Sequence, residues 1–510
     1  MKRILIYLFI CQVSVPVLAQ NGIINKYAAT ISQDDLKGLL TIIASDALEG
    51  RETGTRGQKM AAAFIEEEFK RIGLSPVVPT AEGMSYLQKF KLENYDQDGI
   101  YLKTDDMQFN LKDNILFSGR RAMAASKNQK VVFLNQQEIS SGVNLKNKVA
   151  LIIAIGSNKK QHNSLARKAY KYGAGMVIII PFTSEDEFKK YRKSDGRNYA
   201  REKLAFEQAK DPDSNAHFLV SPQVAANILH AEKNTLTTRL SEGVSDSFID
   251  KFNSKELSIS YFTSLPTISI DTENVLGYLE GTDKKDEVIV ITAHYDHIGR
   301  RGEQINNGAD DDGSGTSAVI EVAEAYTLAK AAGHGPRRSI LFMTVTGEEK
   351  GLIGSHYYTN NPIFPLESTV VDLNMDMIGR HDKAHDVDRE FVYLVGSDRL
   401  STELHELSEK ANSTFTKLSL DYTYNDESHP MKIYYRSDHW NFAKHNVPII
   451  FYFNGVHDDY HRPTDTVDKI EFDLLQKRAQ LVFYTSWIIA NREQRIVIDK
   501  IQNTEINRNN

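Results

Sequence analysis

Cysteine is all but absent from this chain of 510 residues: the one thiol is Cys11. It falls in an opening segment, MKRILIYLFICQVSVPVLAQ, where Lys2 and Arg3 precede a short apolar core and Val17-Leu18-Ala19 precedes Gln20. That is the form of a secretory signal peptide. The apolar stretch is short for a membrane anchor, and no small-residue pair precedes Cys11 as a lipoprotein site would need. Cleavage after Ala19 leaves a mature chain starting near Gln20 with no thiol at all. Disulfides, thiol catalysis and Cys-ligated zinc are then excluded. Loss of Lys2 and Arg3 takes the formal charge from −7 to −9. The expected product is exported, to a periplasm or to the medium.

Two further absences narrow the function. No stretch after the N-terminus approaches the roughly 20 apolar residues that span a bilayer, so no integral membrane segment is expected once the signal is removed. No basic tract stands out against the negative net charge, which argues against nucleic acid as a partner. What is present is ordinary globular composition, 41% hydrophobic and 25% charged, over a length that implies two or more domains or one domain with a large insertion.

Residues 32 to 73 read as helices. Ser32 stands as a cap, Leu36, Leu39, Leu40 and Ile43 follow at helical spacing, and a second helical pattern stops at Gly73. The intervening EGRETGTRG reads as a structural turn. From about 112 to 262, short apolar runs (KVVFL, KVALIIAI, GMVIIIPF) alternate with helical SLARKAYKYGA, which predicts a separate α/β module with a Lys- and Arg-rich surface. It shows no cluster of His, Asp and Glu, and its basic stretch FKKYRKSDGRNYAREK reads as a solvated face.

Beyond 265 the pattern is regular. EVIVITAHYDHIG, RRSILFMTVTGEE, STVVDLNMDMIG and VPIIFYFNGVHDDYHRP each run apolar and end polar. Such runs are strands buried on both faces, and the helical stretches between some of them predict a doubly wound, mostly parallel α/β sheet. Ligands bind beyond the carboxyl ends of such strands. Those ends carry His294, Asp296, Asp310, Asp311, Asp312, Glu348, Glu349, Asp376 and His461. Imidazole and carboxylate without thiolate suit zinc and related dications. A set this rich in carboxylate favours two ions sharing a bridging carboxylate. Three adjacent aspartates that would otherwise repel are then useful, and the following GSG lets the chain turn closely into a helix near Ser314.

TAHYDHIG, GADDDGSG, TGEEKGLIGS, LNMDMIG and HRPTDT together resemble the M28 family of zinc exopeptidases, in family order and over about 30 to 490, with SDALEGRETGTRG matching the family's N-terminal segment. The resemblance implies a zinc-exopeptidase fold split by an inserted protease-associated domain. The expected layout is signal 1–19, catalytic domain 20–111 and 263–495, insertion 112–262, and a polar tail 496–510. It implies one Zn²⁺ on His294, Asp311 and Asp376 and another on Asp311, Glu349 and His461, bridged by Asp311. Glu348 is the implied general base and Asp296 the carboxylate that orients His294. The peptide between Asp311 and Asp312 is implied to be cis. His297 is expected beside the ligands or at the surface, and Tyr434 or Tyr435 near the oxyanion. Arg436 is expected to meet a substrate carboxylate or pair with an acid, while His356, His429 and Asp438 are left to structural roles. The expected function is an exported two-zinc exopeptidase acting on peptides, foremost an aminopeptidase. A carboxypeptidase, a single-zinc glutaminyl cyclase and a non-catalytic binding protein on the same scaffold are the alternatives.

Overall fold

The computed structural model describes residues 21–95, 99–111, 114–119, 126–141, 143–194, 199, 203–206, 216–263 and 267–500. The expected signal segment and residues 501–510 of the expected tail lie outside them. The chain divides into two units, Met1–Phe90 with Asp271–Asn510, and Lys91–Ile270.

In the first unit, α1 (Gln33–Ile43) begins at Ser32, whose hydroxyl accepts from the Asp35 amide. Leu36, Leu39, Leu40 and Ile43 form its buried stripe. α2 (Arg56–Arg71) buries Ala61, Ala62, Ile65 and Phe69 in the same way. Eight strands of this unit's nine-stranded sheet are β1 (Leu87–Tyr95), β2 (Thr267–Leu279), β3 (Lys284–His294), β4 (Arg338–Val345), β5 (Thr369–Met375), β6 (Phe391–Val395), β7 (Ser419–Asp421) and β8 (Ile449–Phe453), in spatial order β1-β2-β4-β3-β5-β8-β6-β7. The four central strands β4, β3, β5 and β8 are parallel, while β2 and β6 run antiparallel to their central neighbours.

Both faces are covered, which is why these strands read as continuous apolar runs. Ile289, Ile291 and Ala293 of β3 enter one core with α1, α2, α3 (Gly315–Ala331) and α5 (Phe472–Asn491). Val288 and Val290 enter the other with Tyr358 of α4 (Ile353–Asn360) and Phe442. The period of two along a strand makes this division. No helix among the described residues is long and apolar enough to cross a membrane.

The second unit holds an eight-stranded sheet. Its parallel centre is Ser126–Asn135, Val149–Ile153, Met176–Ile180 and His217–Val220. It extends further than the 112–262 read from the sequence, because Tyr101–Lys103 and Gln108–Asn110 pair into the sheet beside Ser258–Phe262. Strands of three residues carry no apolar run long enough to stand out in a sequence.

Candidate metal centre

Register explains why distant residues meet. His294 ends β3 level with Val345 at the end of β4, and Met375 at the end of β5 lies level with Tyr452 of β8. The segments that leave these four parallel strands therefore start side by side. They bring His294, Glu348 with Glu349, Asp376 and His461 to one place, and the loop before α3 adds Asp310 to Asp312.

The two carboxylate oxygens of Asp311 face two different groups of donors. Oδ1 lies 3.3 Å from His294 Nε2, which is also 3.5 Å from Asp376 Oδ1. Oδ2 lies 3.1 Å from His461 Nε2, which is also 3.1 Å from Glu349 Oε1. All five expected ligands are thus brought together, with Asp311 between the two groups. The ligand atoms of His294, Asp311 and Asp376 lie within 4.8 Å of one another, as do those of His297, Asp311 and Glu349. His294 Nε2, Asp311 Oδ2 and Glu349 Oε1 are buried without an aligned hydrogen-bond partner. Orphaned acceptors converging on shared points are costly unless a cation satisfies them, so the residues present fit the dications expected of them.

The triple aspartate is three separate devices. Asp310 accepts from the Gly379 amide at 2.6 Å, from Asn454 at 2.7 Å and from His457 Nε2 at 3.1 Å. Asp311 faces the donors. Asp312 accepts from the amides of His294, Gly315 and Met377 at 3.1, 2.9 and 3.2 Å, which ties the ends of β3 and β5 to the start of α3. The glycines that follow are needed for closeness: a Cβ on Gly315 would sit 2.4 Å from Asp312 Oδ1 and 2.6 Å from the Met375 carbonyl. The Asp311–Asp312 peptide is cis.

Asp296 is buried beside His294, but the hydrogen bond from His294 Nδ1 goes to its main-chain carbonyl at 3.0 Å, while the carboxylate is 3.8 Å away. Either way Nδ1 carries the proton and Nε2 is left as the donor to a metal. The Asp296 carboxylate instead accepts from Thr53 Oγ1 at 2.8 Å and from the Glu348 amide at 3.1 Å, which positions the proposed base. Burial is the largest influence on the Glu348 carboxyl and pushes it well above the usual range. His294 pulls it back, and Asp376 and Glu349 add to the rise. For His461, burial lowers the pKa, but Asp311 and Glu349 outweigh it and raise the imidazole to about 10.

Three features escaped the sequence reading. EGRETGTRG is more than a turn: Arg51, fully buried, donates to the carbonyls of Ile43, Tyr295, Asn307 and Gly308 at 2.6–3.0 Å, clamping the segments that carry His294 and Asp311. Asp465 accepts from the amides of Asp310 and Asp311. His297, expected beside the ligands or at the surface, is fully buried beside one of them, with Nδ1 3.0 Å from Glu349 Oε1. The cleft over Glu348 and Asp376 is lined by Ile433, Arg436, Phe451, Phe453, Val456 and Tyr460. Tyr460, stacked on His461, is its tyrosine. Tyr434 and Tyr435 pack against Trp440 instead. Asp438 accepts from Ser355, His356 accepts from Lys444 and the ring of His429 meets that of Tyr424, as structural groups do.

Residues 274–486 match the model of peptidase family M28. A protein named "Probable leucine aminopeptidase" from Arthroderma otae is 30% identical over 214 residues, 41% of this chain and 55% of that protein. "Aminopeptidase YwaD" of Bacillus subtilis is 26% identical over 233 residues, 44% of this chain and 46% of that protein. The chain thus spans about half the length of the curated relatives it matches. In fold it resembles a solved aminopeptidase from Aneurinibacillus sp. strain AM-1, with a TM-score of 0.56 and 20% identity over 94% of this chain and 98% of that one. The segment that matches the family M28 model carries all five expected ligands.

Proposed function

We propose that this protein is an exported metallo-aminopeptidase that holds two zinc ions bridged by Asp311. The observation that carries the reading is the division of Asp311, one oxygen toward His294 and Asp376 and the other toward Glu349 and His461. The names of the relatives support the choice of aminopeptidase, and a donor set of imidazole and carboxylate without thiolate supports zinc. The wide segment 91–270 offers no metal-competent group among its described residues, in keeping with an inserted protease-associated domain.

The zinc pair, when bound, supplies Lewis-acid polarisation of the scissile carbonyl and lowers the pKa of water at the site. The chain's own groups do the rest. Glu348, held by its amide on Asp296, takes the proton of the attacking water and passes it to the leaving amine. His294 is fixed in one tautomer by the Asp296 carbonyl. Tyr460, at the wall of the cleft, is placed to donate to the developing oxyanion. Ile433, Phe451, Phe453 and Val456 offer an apolar side chain a dry wall.

The test is hydrolysis of a peptide library read at both termini, with and without 1,10-phenanthroline. Chelator-sensitive release of amino-terminal residues, apolar ones fastest, is expected. Release from the carboxyl terminus, or hydrolysis indifferent to the chelator, overturns the reading.

A further inference from the structure

The two donor groups around Asp311 are unequal. The group at Oδ1 has His294 and Asp376. The group at Oδ2 has Glu349, His461 and, in addition, His297. The ring of His297 is fully buried, and neither of its nitrogens has an aligned hydrogen-bond partner. Nδ1 nonetheless lies 3.0 Å from Glu349 Oε1 and 3.7 Å from Asp311 Oδ2, the same two oxygens that His461 Nε2 meets at 3.1 Å each. The two rings approach edge to face, with centroids 5.7 Å apart. They therefore address one point from different sides.

The spacings are those of ligands. Around one zinc with bonds of ~2.0–2.1 Å, tetrahedral donors stand roughly 3.3 Å from one another. The oxygen–nitrogen separations here bracket that value. A buried imidazole with both nitrogens unpaired is otherwise an expensive arrangement.

The backbone fixes the ring in this pose. The His297 amide donates to the Arg51 carbonyl at 3.3 Å. Gly308, with φ of +56°, lies flat against the ring, so that a Cβ there would come within 2.6 Å of His297 Cγ and Cδ2. The carbonyl of Gly308 is held in turn by Arg51 at 3.0 Å. The clamp that aligns Asp311 thus also presses His297 toward it.

We infer that His297 Nδ1 is a fourth protein ligand to the cation shared by Asp311, Glu349 and His461. This rests on the two-cation reading above and extends it. The cation at His294 and Asp376, with three protein donors, keeps open positions for water and substrate. The cation at His297 and His461, with four protein donors, is held more tightly.

The experiment is a crystal structure of the zinc-loaded full chain with anomalous diffraction at the zinc edge, together with zinc release to a colorimetric chelator from wild type, His297→Ala and His297→Gln. The expected result is a zinc within ~2.0–2.1 Å of His297 Nδ1, slower release of that ion than of its neighbour, and release at least roughly 10-fold faster in both variants. The diffraction measurement stands on wild type and survives any variant that fails to fold. Two zincs seated with Nδ1 beyond bonding distance overturn the inference and leave the aminopeptidase reading intact. Fewer than two zincs in fully active wild type overturn the two-cation reading, and the inference falls with it.

Discussion

The two units are variations on one architecture, and both bury histidines beside a parallel sheet. In the unit of residues 91–270, His162 lies against His217 and bonds to Ser157, and no acid among the described residues acts on it. Burial lowers its pKa to about 4. In the other unit, His461 meets Asp311 and Glu349 and is raised to about 10. Fold class is alike, and the fully buried His162 has no carboxylate acting on it while the partly exposed His461 has two, so the neighbours decide. Where parallel strands end in glycine, serine and proline, as at Gly156, Ser157 and Pro181, an α/β layer is only a layer. Where they end in carboxylate and imidazole, the same layer becomes a centre for dications.

The strongest way to break this contrast is at the adjacent glutamates. Glu348→Gln keeps size and hydrogen bonding but cannot take the proton, so kcat should fall by about 10²–10⁴-fold with both zincs retained. Glu349→Ala should instead lower zinc content. Metal analysis and kcat on both purified variants check this. More than about a tenth of wild-type kcat in Glu348→Gln with two metals bound would defeat the role of base.

Next in size is the clamp. Arg51→Met leaves four buried carbonyls without their cation, at a cost of about 3–5 kcal/mol, as for a broken buried charge network. Melting temperature and zinc content should fall together. A lower Tm with undiminished zinc affinity would show that Arg51 supports the fold but not the metal centre.

A buried acid outside the site sharpens the comparison further. Burial beside α1 raises Glu321 of α3 to about 8, with Asp35 and Glu324 adding to the effect. A raised carboxyl favours the folded state while protonated. Its stability is therefore present below the unfolded pKa near 4.5 and lost as pH rises toward 8, at about 1.4 kcal/mol per unit. Glu321→Gln should match wild type in Tm near pH 4 and exceed it by a margin that widens up to pH 8. A margin independent of pH would falsify the assignment.

The smallest effect belongs to the other unit. His162→Gln should leave zinc content and kcat unchanged. Because burial depresses His162, wild type loses stability as pH falls from 6.5 through about 4. The variant should lose less over that range, as thermal melts across it would record. Any loss of zinc would refute the division of labour between the units.

The site was legible to the extent that its residues sit at strand ends. Apolar runs closing on His294, Glu348, Asp376 and His461 point to one edge of a parallel sheet, and the five ligands come together there. The groups that hold them were not legible. Thr53 reaches Asp296 across 243 positions, and Arg51 reaches Gly308 across 257. Neither separation leaves a periodicity to read. His297 follows His294 by three positions, a spacing compatible with a ligand, a neighbour or a surface residue. Its burial depends on Gly308 and Arg51, which lie elsewhere in the chain.

What the sequence by itself determined is which elements form and which chemistry is available, because apolar period and residue type are local properties. The tertiary structure alone decided how the donors are shared out. Which oxygen of Asp311 faces which imidazole, whether Asp296 acts through its carbonyl or its carboxylate, and which tyrosine reaches the cleft all depend on strand register and loop path. Those are set by contacts between residues tens to hundreds of positions apart, and no short stretch of chain contains them.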